Sequence, residues 1–478
     1  MQAHGMKRLG LCVFLACLPM AAQQGSPAAT PAKPATKPAV KATAGKTAGC
    51  TVTAVNYRGW KATELANRWV KLYVVPEVGG RLMQVNFGGH DLLYIDPKFA
   101  GQVLPLGERG GGDHNYGGDK INPLPEGGQD EQHWSGFGGY MDYAPNTLKV
   151  LAREPNHCAV RLTGPDNEIG QRYTRDIAID GETPLISFHN VMENVSGFPQ
   201  AWSEQTITEY AVSEPAGSEN LDKNFYGVTE VNPKSAYTDK PYHVRTGPQD
   251  NSAFEVKDGT LRVHWNDIMQ EVWIDSPSGW LATVNGETGY TVVERHDIDH
   301  THSYPGDASI IFYSSGAPRV RPNAPANAAA PQREGPFMEA EVNSPMVDLK
   351  PGESYAMDTT WYPTRMNQDF KTTTWSGVIG KPLAANRKPD GIELTGDFGV
   401  FYHGTLVAHI YPRRKEDNTI KVMDVTPTEE VHLQTTIAAP TDTTSRISIH
   451  LVDDKGIDRG PLGEVIVNPP IARGRRGQ

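Results

Sequence analysis

The feature that most constrains the fold is an alternation of apolar and polar residues with a period of two, which begins near residue 50. One such run carries a mostly apolar face made of Tyr173, Arg175, Ile177 and Ile179. Further on, Asp258-Gly259 separates two alternating runs, which is a strong signal for a β-hairpin. No segment sustains a helical period over three turns. The alternation predicts an all-β body built from large antiparallel sandwich sheets.

The composition agrees with many short strands joined by turns. The chain has 478 residues, of which 48 are glycine and 37 are proline. Hydrophobic residues make up 38% and charged residues 21%, enough apolar material for a sizeable core. A chain of this length is expected to form two or three domains. No apolar run reaches the roughly 18–20 residues of a membrane-spanning helix, which argues against an integral membrane protein.

The charge is unevenly distributed along the chain. The formal charge is −11, but residues 1–49 hold six basic residues and no acidic one. Residues 50–478 therefore keep 39 basic against 56 acidic residues, a formal charge of −17. A body this acidic repels phosphate backbones, so nucleic-acid binding is disfavoured. The charge places no such restriction on sugars, which are mostly neutral.

The N-terminus has the pattern of an export signal. Lys7 and Arg8 precede a short apolar run over residues 9–18, and small residues up to Ala22 offer a cleavage point. The alternative is a lipoprotein signal with Cys17 as the lipid anchor. We expect a signal peptide over 1–22 and an exported protein, periplasmic or extracellular. Residues 23–49, rich in Ala, Pro, Lys and Thr, are expected to be a disordered linker.

Two of the four cysteines fall within the expected signal peptide. Cleavage would remove Cys12 and Cys17 and leave Cys50 and Cys158 in the body. In an oxidising compartment this pair can form one disulfide, and the alternative is two unpaired buried thiols. The cysteine spacing matches no cysteine-based zinc pattern, and no catalytic cysteine is indicated.

Changes in composition suggest the domain boundaries. Residues 50–385 are expected to form one large β domain, interrupted by a Pro/Ala-rich surface loop over 316–336. Residues 386–470 form a second set of short strands, the size of a small β-sandwich module. The chain ends in a basic tail over 471–478, with arginines at 473, 475 and 476.

Three segments in order resemble galactose-mutarotase-like proteins, the superfamily of the aldose 1-epimerases. They are residues 73–101 with a Gly79-Gly80 turn before Arg81, residues 185–209, and residues 337–361 with a Leu-x-Pro-Gly-Glu-Ser turn. The ordered set covers roughly residues 50–385 and is closest to an uncharacterised branch of secreted bacterial proteins. The resemblance implies an antiparallel β-supersandwich that binds sugar on a concave sheet face.

The same resemblance implies candidate acid–base residues. Mutarotases open the sugar ring with a glutamate base and a histidine acid. Glu341 falls where the family glutamate would lie, and Glu339 shares its strand face, with Met338, Ala340 and Val342 opposite. The alternative for both is a solvated strand carboxylate. Residues 201–205, where the acid histidine is expected, contain Trp202 and Glu204 but no histidine, and His189 lies inside the preceding strand. Ordinary mutarotation is therefore disfavoured.

A long polar, glycine-rich stretch over residues 113–134 suits sugar contact, because an aromatic ring can stack on the sugar while polar groups bind its hydroxyls. The alternative is a structural Ω-loop. With residues from the resembling segments, the substrate-binding candidates are Arg81, His114, Asp119, Lys120, His133, Trp134, Trp202, Glu204 and His302.

The sequence His-Asp-Ile-Asp-His-Thr-His over 296–302 would place His296, His300 and His302 on one face of a strand. Such a face can hold zinc or another divalent ion. The spacing is not a metal-site signature, and sugar-pocket polarity and a solvated edge are the alternatives. We expect no cofactor, with this divalent site as the weak exception.

The function favoured by these features is that of an exported carbohydrate-binding protein, with glutamate-based acid–base chemistry as an added option. The alternatives are a non-catalytic cell-envelope scaffold, an aldose 1-epimerase, or a polysaccharide lyase or hydrolase. The chain has neither a phosphate-binding loop motif nor a Gly-x-Ser-x-Gly nucleophile motif, which disfavours nucleotide and α/β-hydrolase chemistry.

Overall fold

Antiparallel strands dominate the regular structure, which confirms the all-β prediction. The structure is a computed structural model that describes residues 49–104, 115–126, 143–316, 335–366, 369–412, 418–439 and 444–468. The predicted signal peptide, nearly all of the linker, residues 317–334 of the Pro/Ala-rich loop and all of the basic tail lie outside the described residues. Within the described ranges, no helix is long and apolar enough to span a membrane.

The strands are numbered in chain order. Those of the first half are β1 (Thr51–Tyr57), β2 (Trp60–Ala66), β3 (Val70–Val75), β4 (Arg81–Phe87), β5 (His90–Asp91), β6 (Asp119–Leu124), β7 (Thr147–Glu154), β8 (His157–Thr163), β9 (Gln171–Asp180), β10 (Ile186–Asn194), β11 (Gln200–Ala211), β12 (Tyr226–Glu230), β13 (His243–Thr246), β14 (Phe254–Lys257) and β15 (Thr260–His264).

Those of the second half are β16 (Gln270–Ile274), β17 (Trp280–Val284), β18 (Tyr290–His296), β19 (Ile310–Ser314), β20 (Phe337–Asn343), β21 (Val347–Leu349), β22 (Ser354–Arg365), β23 (Thr372–Thr373), β24 (Gly377–Lys388), β25 (Gly391–Val400), β26 (Gly404–Pro412), β27 (Asn418–Val425), β28 (Val431–Ile437), β29 (Ser445–Asp453) and β30 (Asp458–Val467). A 3₁₀ helix spans Pro305–Asp307.

Two large sheets form the body of the molecule. Sheet I has the order β1-β2-β3-β4-β6-β11-β20-β19-β16-β13, with β5 added on β4 and β21 on β11. Sheet II has the order β14-β15-β12-β17-β18-β22-β10-β9-β8-β7. Neighbours far apart in sequence, such as β11 and β20, pair in the middle of sheet I, so the sheet brings distant segments together.

The Asp-Gly hairpin predicted from the sequence is present. Lys257 pairs with Thr260 across the turn that joins β14 and β15. Asp258 and Gly259 both have positive φ, 52° and 82°, which is the geometry of the two-residue turns that suit a twisted hairpin. Glycine takes this conformation without steric cost, and aspartate is one of the few other residues that tolerate it.

A hydrophobic core fills the space between sheets I and II. On β20, Met338, Ala340 and Val342 point into this core, and Phe188 and Ile177 meet it from sheet II. The apolar face predicted for β20 is therefore the buried face. Glu339 and Glu341 consequently lie on the other, outer face of sheet I.

A smaller sandwich follows β22. Sheet III has the order β23-β24-β25-β28 and sheet IV the order β27-β26-β29-β30. Leu394, Phe398 and Ile449 from these sheets share one core with Ala282 and Val293 from the outer face of sheet II. This C-terminal sandwich thus packs against sheet II. Its strand β24 begins at Gly377 and runs past residue 385, where the sequence suggested a boundary.

Cys50 and Cys158 are joined by a disulfide, with their Cα atoms 5.9 Å apart and a sequence separation of 108. Cys158 lies on β8 of sheet II, and Cys50 immediately precedes β1 of sheet I. The backbone N–H of Cys50 also donates to the carbonyl of Pro155 at 2.8 Å. The bond therefore links the first strand of sheet I to sheet II.

Candidate functional site

Six neighbouring strands of sheet I, from β6 to β13 in the sheet order, contribute side chains to one cavity on the outer face. By register, Ile207 on β11 and Ile311 on β19 both flank Glu341 on β20. Trp273 on β16 pairs in turn with Ile311. Because alternate residues share a face, these side chains project to the same side. The cavity has a volume of about 560 Å³, within the range of small-ligand pockets. We call it the sheet I cavity.

Glu341 lies in the wall of the sheet I cavity and is 5% exposed. Gln205 Nε2 donates a hydrogen bond to Glu341 Oε2 at 2.5 Å. Burial raises the pKa of Glu341 well above its usual value, and the charges of Glu271 and Glu126 add to this. Lys120 and Gln205 oppose the shift without reversing it. Glu341 therefore holds its proton to a much higher pH than an exposed glutamate and presents a carboxylic acid to the cavity.

Glu339 precedes Glu341 by two residues on β20, lines the same cavity and is 8% exposed. It lies directly opposite Glu209 on β11. Asn115 Nδ2 donates to Glu209 Oε2 at 2.7 Å, and Arg81 Nη1 lies 4.0 Å from Glu209 Oε1. Arg81 is only 1% exposed and also donates to the carbonyl of Gly117. Arg81 thus lies beside Glu209 at a buried position.

Trp273 and Tyr313 are the aromatic residues among the described lining of the cavity, and Trp273 has the larger ring. Its Nε1 donates to Glu271 Oε1 at 2.5 Å, which fixes the orientation of the ring and of the carboxylate together. Gly306 lies against the ring with φ of 56°, and a Cβ atom there would come within 2.0 Å of Trp273. Only glycine fits this contact. Tyr237 Oη donates to the Gly306 carbonyl at 2.8 Å and holds the turn in place.

Two predicted substrate-binding residues, Asp119 and Glu204, point away from the cavity and lie between the sheets. Asp119 Oδ1 forms an ion pair with Arg175 of sheet II, and its Oδ2 accepts from Thr208 Oγ1 at 2.9 Å. Burial raises the pKa of Asp119, Glu204 and Glu294, with opposition from Arg175 in each case. We call Asp119, Arg175, Glu204 and Glu294 the inter-sheet polar layer. They are buried within the sandwich, and their position indicates a structural role.

The remaining candidates are dispersed. Lys120 is buried on β6 opposite Ile207 and close enough to Glu341 to lower its pKa. Trp202 is 1% exposed and packs with Tyr173, Met192 and Leu349 in a small core. The candidates His114, His133 and Trp134 lie outside the described residues. Of the predicted substrate-binding residues that the structure describes, Lys120 is the one placed beside the cavity glutamates.

The three histidines of residues 296–302 do not share a strand face, contrary to the prediction. β18 ends at His296. Asp299 then accepts from the backbone N–H of Thr301 at 2.7 Å, a local turn that ends the extended run. His302 Nδ1 lies 2.6 Å from Asp299 Oδ2 at the exposed end of this turn. His296 is buried, and burial lowers its pKa to about 4, so it is neutral near pH 7.

A different set of side chains has the spacing for a metal ion. His409, His450 and Asp458 on the C-terminal sandwich place one ligand atom each within 4.8 Å of one another. His450 Nδ1 lies 2.8 Å from Asp458 Oδ2. Two imidazoles and a carboxylate suit zinc or a similar divalent ion. This set belongs to β26, β29 and β30, far in sequence from the predicted histidines.

Glu271, Trp273, Tyr313 and Gln205 were missed by reasoning from the sequence. A signal for the first two was present on β16. Val272 and Ile274 alternate as the apolar, buried face of that strand. The same alternation places Glu271 and Trp273 on the opposite face of β16. The sequence does not reveal which strands lie beside β16 in the sheet. Knowledge that β16, β19 and β20 are neighbours would have connected them to Glu341.

No family model and no curated protein matches the chain. Among solved structures it is similar to a TPR-domain containing protein from Parabacteroides distasonis ATCC 8503, with 14% sequence identity and a TM-score of 0.41 over 73% of this chain. The match spans 58% of that protein, a little over half its length.

Galactose mutarotase-like proteins are also among the similar structures. The one from Clostridium acetobutylicum has 11% identity and a TM-score of 0.41, over 66% of this chain and 99% of that protein. The one from Lactobacillus casei ATCC 334 has 11% identity and a TM-score of 0.39, over 63% of this chain and 99% of that protein. These proteins bear the name of the superfamily that residues 50–385 resemble.

Proposed function

We propose that the protein binds a carbohydrate in the sheet I cavity and that Glu341 and Trp273 are its main contacts. The observation that carries this proposal is their convergence, from β20 and β16, on one cavity of about 560 Å³. A sugar ring has apolar C–H faces and hydroxyl edges. An indole ring offers a flat apolar surface for the first, and carboxyl and amide groups offer donors and acceptors for the second.

The arrangement around Glu341 suits a neutral ligand with many hydroxyls. A protonated carboxyl both donates and accepts hydrogen bonds, as a hydroxyl group requires. Glu271 is held in place by Trp273 Nε1 and by Thr246 Oγ1, the latter at 3.1 Å. Covering such polar groups with a ligand costs little free energy when the ligand completes their hydrogen bonds. The described lining of the cavity holds four carboxyl groups, those of Glu126, Glu271, Glu339 and Glu341, against the single cation of Arg245, which favours a neutral ligand over an anionic one.

Export is part of the proposal. The expected signal peptide over 1–22 supports it, and so does the disulfide between Cys50 and Cys158, because disulfides persist mainly in oxidising compartments. A periplasmic or extracellular protein would meet glycans of the envelope or surroundings. A lipid anchor at Cys17 is the alternative way of holding it there.

Replacing Trp273 with alanine is expected to weaken sugar binding about 10-fold or more, because aromatic residues in cavity walls carry a large share of binding energy. A glycan array identifies the ligand with the unaltered protein, and titration calorimetry then compares the variants. Phe198→Ala is the matched control, since Phe198 is an aromatic residue 49% exposed on the loop between β10 and β11.

Equal affinity of Trp273→Ala and Phe198→Ala would show that the sheet I cavity is not the sugar site. Failure of the unaltered protein to bind any glycan would favour the scaffold function instead. Circular dichroism should show that both variants retain the β-sheet spectrum.

A second candidate function, proton transfer on a sugar ring, is favoured by the raised pKa of Glu341. In ring opening, the acid would give its proton to the ring oxygen while a second carboxylate takes the proton of the anomeric hydroxyl. The bond from the anomeric carbon to the ring oxygen breaks and a carbonyl forms. Glu341 suits the role of acid, and Glu271 is the second carboxyl, in a cavity whose described lining contains no histidine.

For this second function, Glu341→Gln is expected to reduce the rate at least about 100-fold, the usual contribution of a general acid. Proton NMR of freshly dissolved α-glucose or α-galactose measures the approach to anomeric equilibrium. Glu353→Gln, at an exposed turn, should match the unaltered protein. A rate no faster than buffer for the unaltered protein would exclude mutarotation of these sugars and leave binding as the function.

A further inference from the structure

A second cavity lies where the outer face of sheet II meets the start of the C-terminal sandwich. Its volume is about 440 Å³, again within the range of small-ligand pockets. The end of β18, the outer residues of β22 and the turn at 277–279 form its walls. Trp375, between β23 and β24, completes it from the C-terminal sandwich. We call it the module cleft.

Trp375 is unusual because it is 66% exposed, the highest value among the large hydrophobic side chains described as exposed. The guanidinium carbon of Arg295 lies 4.5 Å from the centre of the indole ring. Arg295 is itself fixed, since its Nη2 donates to Thr373 Oγ1 at 3.0 Å and to the Thr374 carbonyl at 2.8 Å. The cation holds the ring in one orientation while most of its surface faces solvent.

The other walls of the module cleft are rich in polar groups. Asp358 and Thr360 project from β22, and Asp297 and His300 come from the segment after β18. Asp358 Oδ1 lies 2.7 Å from His189 Nδ1, so its carboxylate has a defined position. These groups can bind hydroxyls beside the ring of Trp375.

We propose that the module cleft is a second carbohydrate-binding site, which takes a neutral sugar unit stacked on Trp375. An oriented, exposed indole above polar side chains fits the two kinds of surface of a sugar ring. A carboxylated or phosphorylated ligand would face Asp297 and Asp358, and Arg295 is already engaged with Trp375, Thr373 and Thr374. The module cleft is formed by sheet II and the C-terminal sandwich and shares no described lining residue with the sheet I cavity. Sugar binding in the cleft is therefore a separate proposal from sugar binding in the sheet I cavity.

A long glycan could occupy both sites on one molecule. Once one site is occupied, a tethered sugar unit meets the other at a raised effective concentration, provided the chain can span the two sites. The C-terminal sandwich would then contribute to binding as well as to the core that it shares with sheet II.

The test uses the full chain on an array of neutral oligosaccharides and polysaccharides. Four proteins are compared: the unaltered chain, Trp273→Ala, Trp375→Ala and the double variant. We expect Trp273→Ala to retain signal on a subset of glycans, and further removal of Trp375 to lower that signal at least 10-fold. Trp375→Phe should recover part of it, because a smaller aromatic ring still stacks. The exposure of Trp375 makes loss of folding a minor concern, and circular dichroism of each variant checks it.

The two sites fail in distinguishable ways. Residual glycan binding by Trp273→Ala that is unaffected by Trp375→Ala would overturn the second site, as would Trp273→Ala abolishing all binding. Binding that depends on Trp375 and not on Trp273 would support the module cleft and overturn the sheet I cavity. Absence of glycan binding by the unaltered protein would overturn both.

Discussion

Replacing Arg175 with methionine should lower the free energy of unfolding by about 3–5 kcal/mol, the range seen when one partner of a buried ion pair is removed. Arg175 is 4% exposed and pairs with Asp119, which is 1% exposed. Without the guanidinium, Asp119 would be left as a buried charge or would take up a proton. Both outcomes cost free energy relative to the unfolded chain, where the carboxylate is hydrated.

Arg172→Met provides the control on the same strand. Arg172 is 37% exposed and pairs with Asp166 and Glu193 at the surface, where ion pairs contribute about 0–1 kcal/mol. Chemical denaturation followed by tryptophan fluorescence measures both variants. The loss in Arg175→Met should be larger at pH 8 than at pH 5, because low pH lets the unpaired Asp119 become neutral. Equal, small losses in the two variants would show that the buried pair contributes little.

The second large effect is a pH dependence of stability that originates in Glu294. Burial, followed by the charge of Asp119, raises the pKa of Glu294 to about 8. The unfolded chain releases this proton near the ordinary value of 4.5, while the folded chain keeps it up to about pH 8. The free energy of unfolding should therefore fall as the pH rises across this interval, by an amount on the order of a few kcal/mol.

Glu294→Gln should make the pH profile flatter, because glutamine does not titrate. Asp119 and Glu204 remain and act in the same direction, so part of the slope should persist. Urea unfolding at pH 5, 6, 7, 8 and 9 measures it. Glu287→Gln, an exposed position on the turn before β18, should keep the slope of the unaltered protein. Identical slopes for Glu294→Gln and Glu287→Gln would contradict the assignment to Glu294.

Much of the fold could be predicted because local sequence and burial agree. At 258–259 the turn residues suit positive φ and the flanking strands alternate, so the hairpin follows from short-range information alone. On β20 the apolar residues Met338, Ala340 and Val342 all face the core, which correctly placed Glu339 and Glu341 on the outer face. Strand pairing between distant segments, such as β16 with β19, depends on the whole sheet and leaves no local signal.

The site was only partly predictable because β11 gives a misleading pattern. Its inward residues Glu204, Thr206 and Thr208 are polar, while the outward residue Ile207 is apolar. Hydrophobic alternation assigns faces by the rule that apolar residues are buried, and the inter-sheet polar layer breaks that rule. Glu204 was expected at the ligand because it lies in the segment where the resemblance places the acid histidine, whereas its neighbour Gln205 is the residue that contacts Glu341.

The middle strands of sheet II contribute to two cores at once. On β17, Leu281 packs towards sheet I, whereas Ala282 packs towards the C-terminal sandwich. A substitution on either face of β17 therefore disturbs one of the two cores, so neither face is free to vary. By contrast, the strands β11, β16 and β20 face one core on their inner side and the sheet I cavity on their outer side. Sequence drift on that face can change which ligand is preferred while the rest of the molecule keeps its shape, so specificity can evolve separately from architecture.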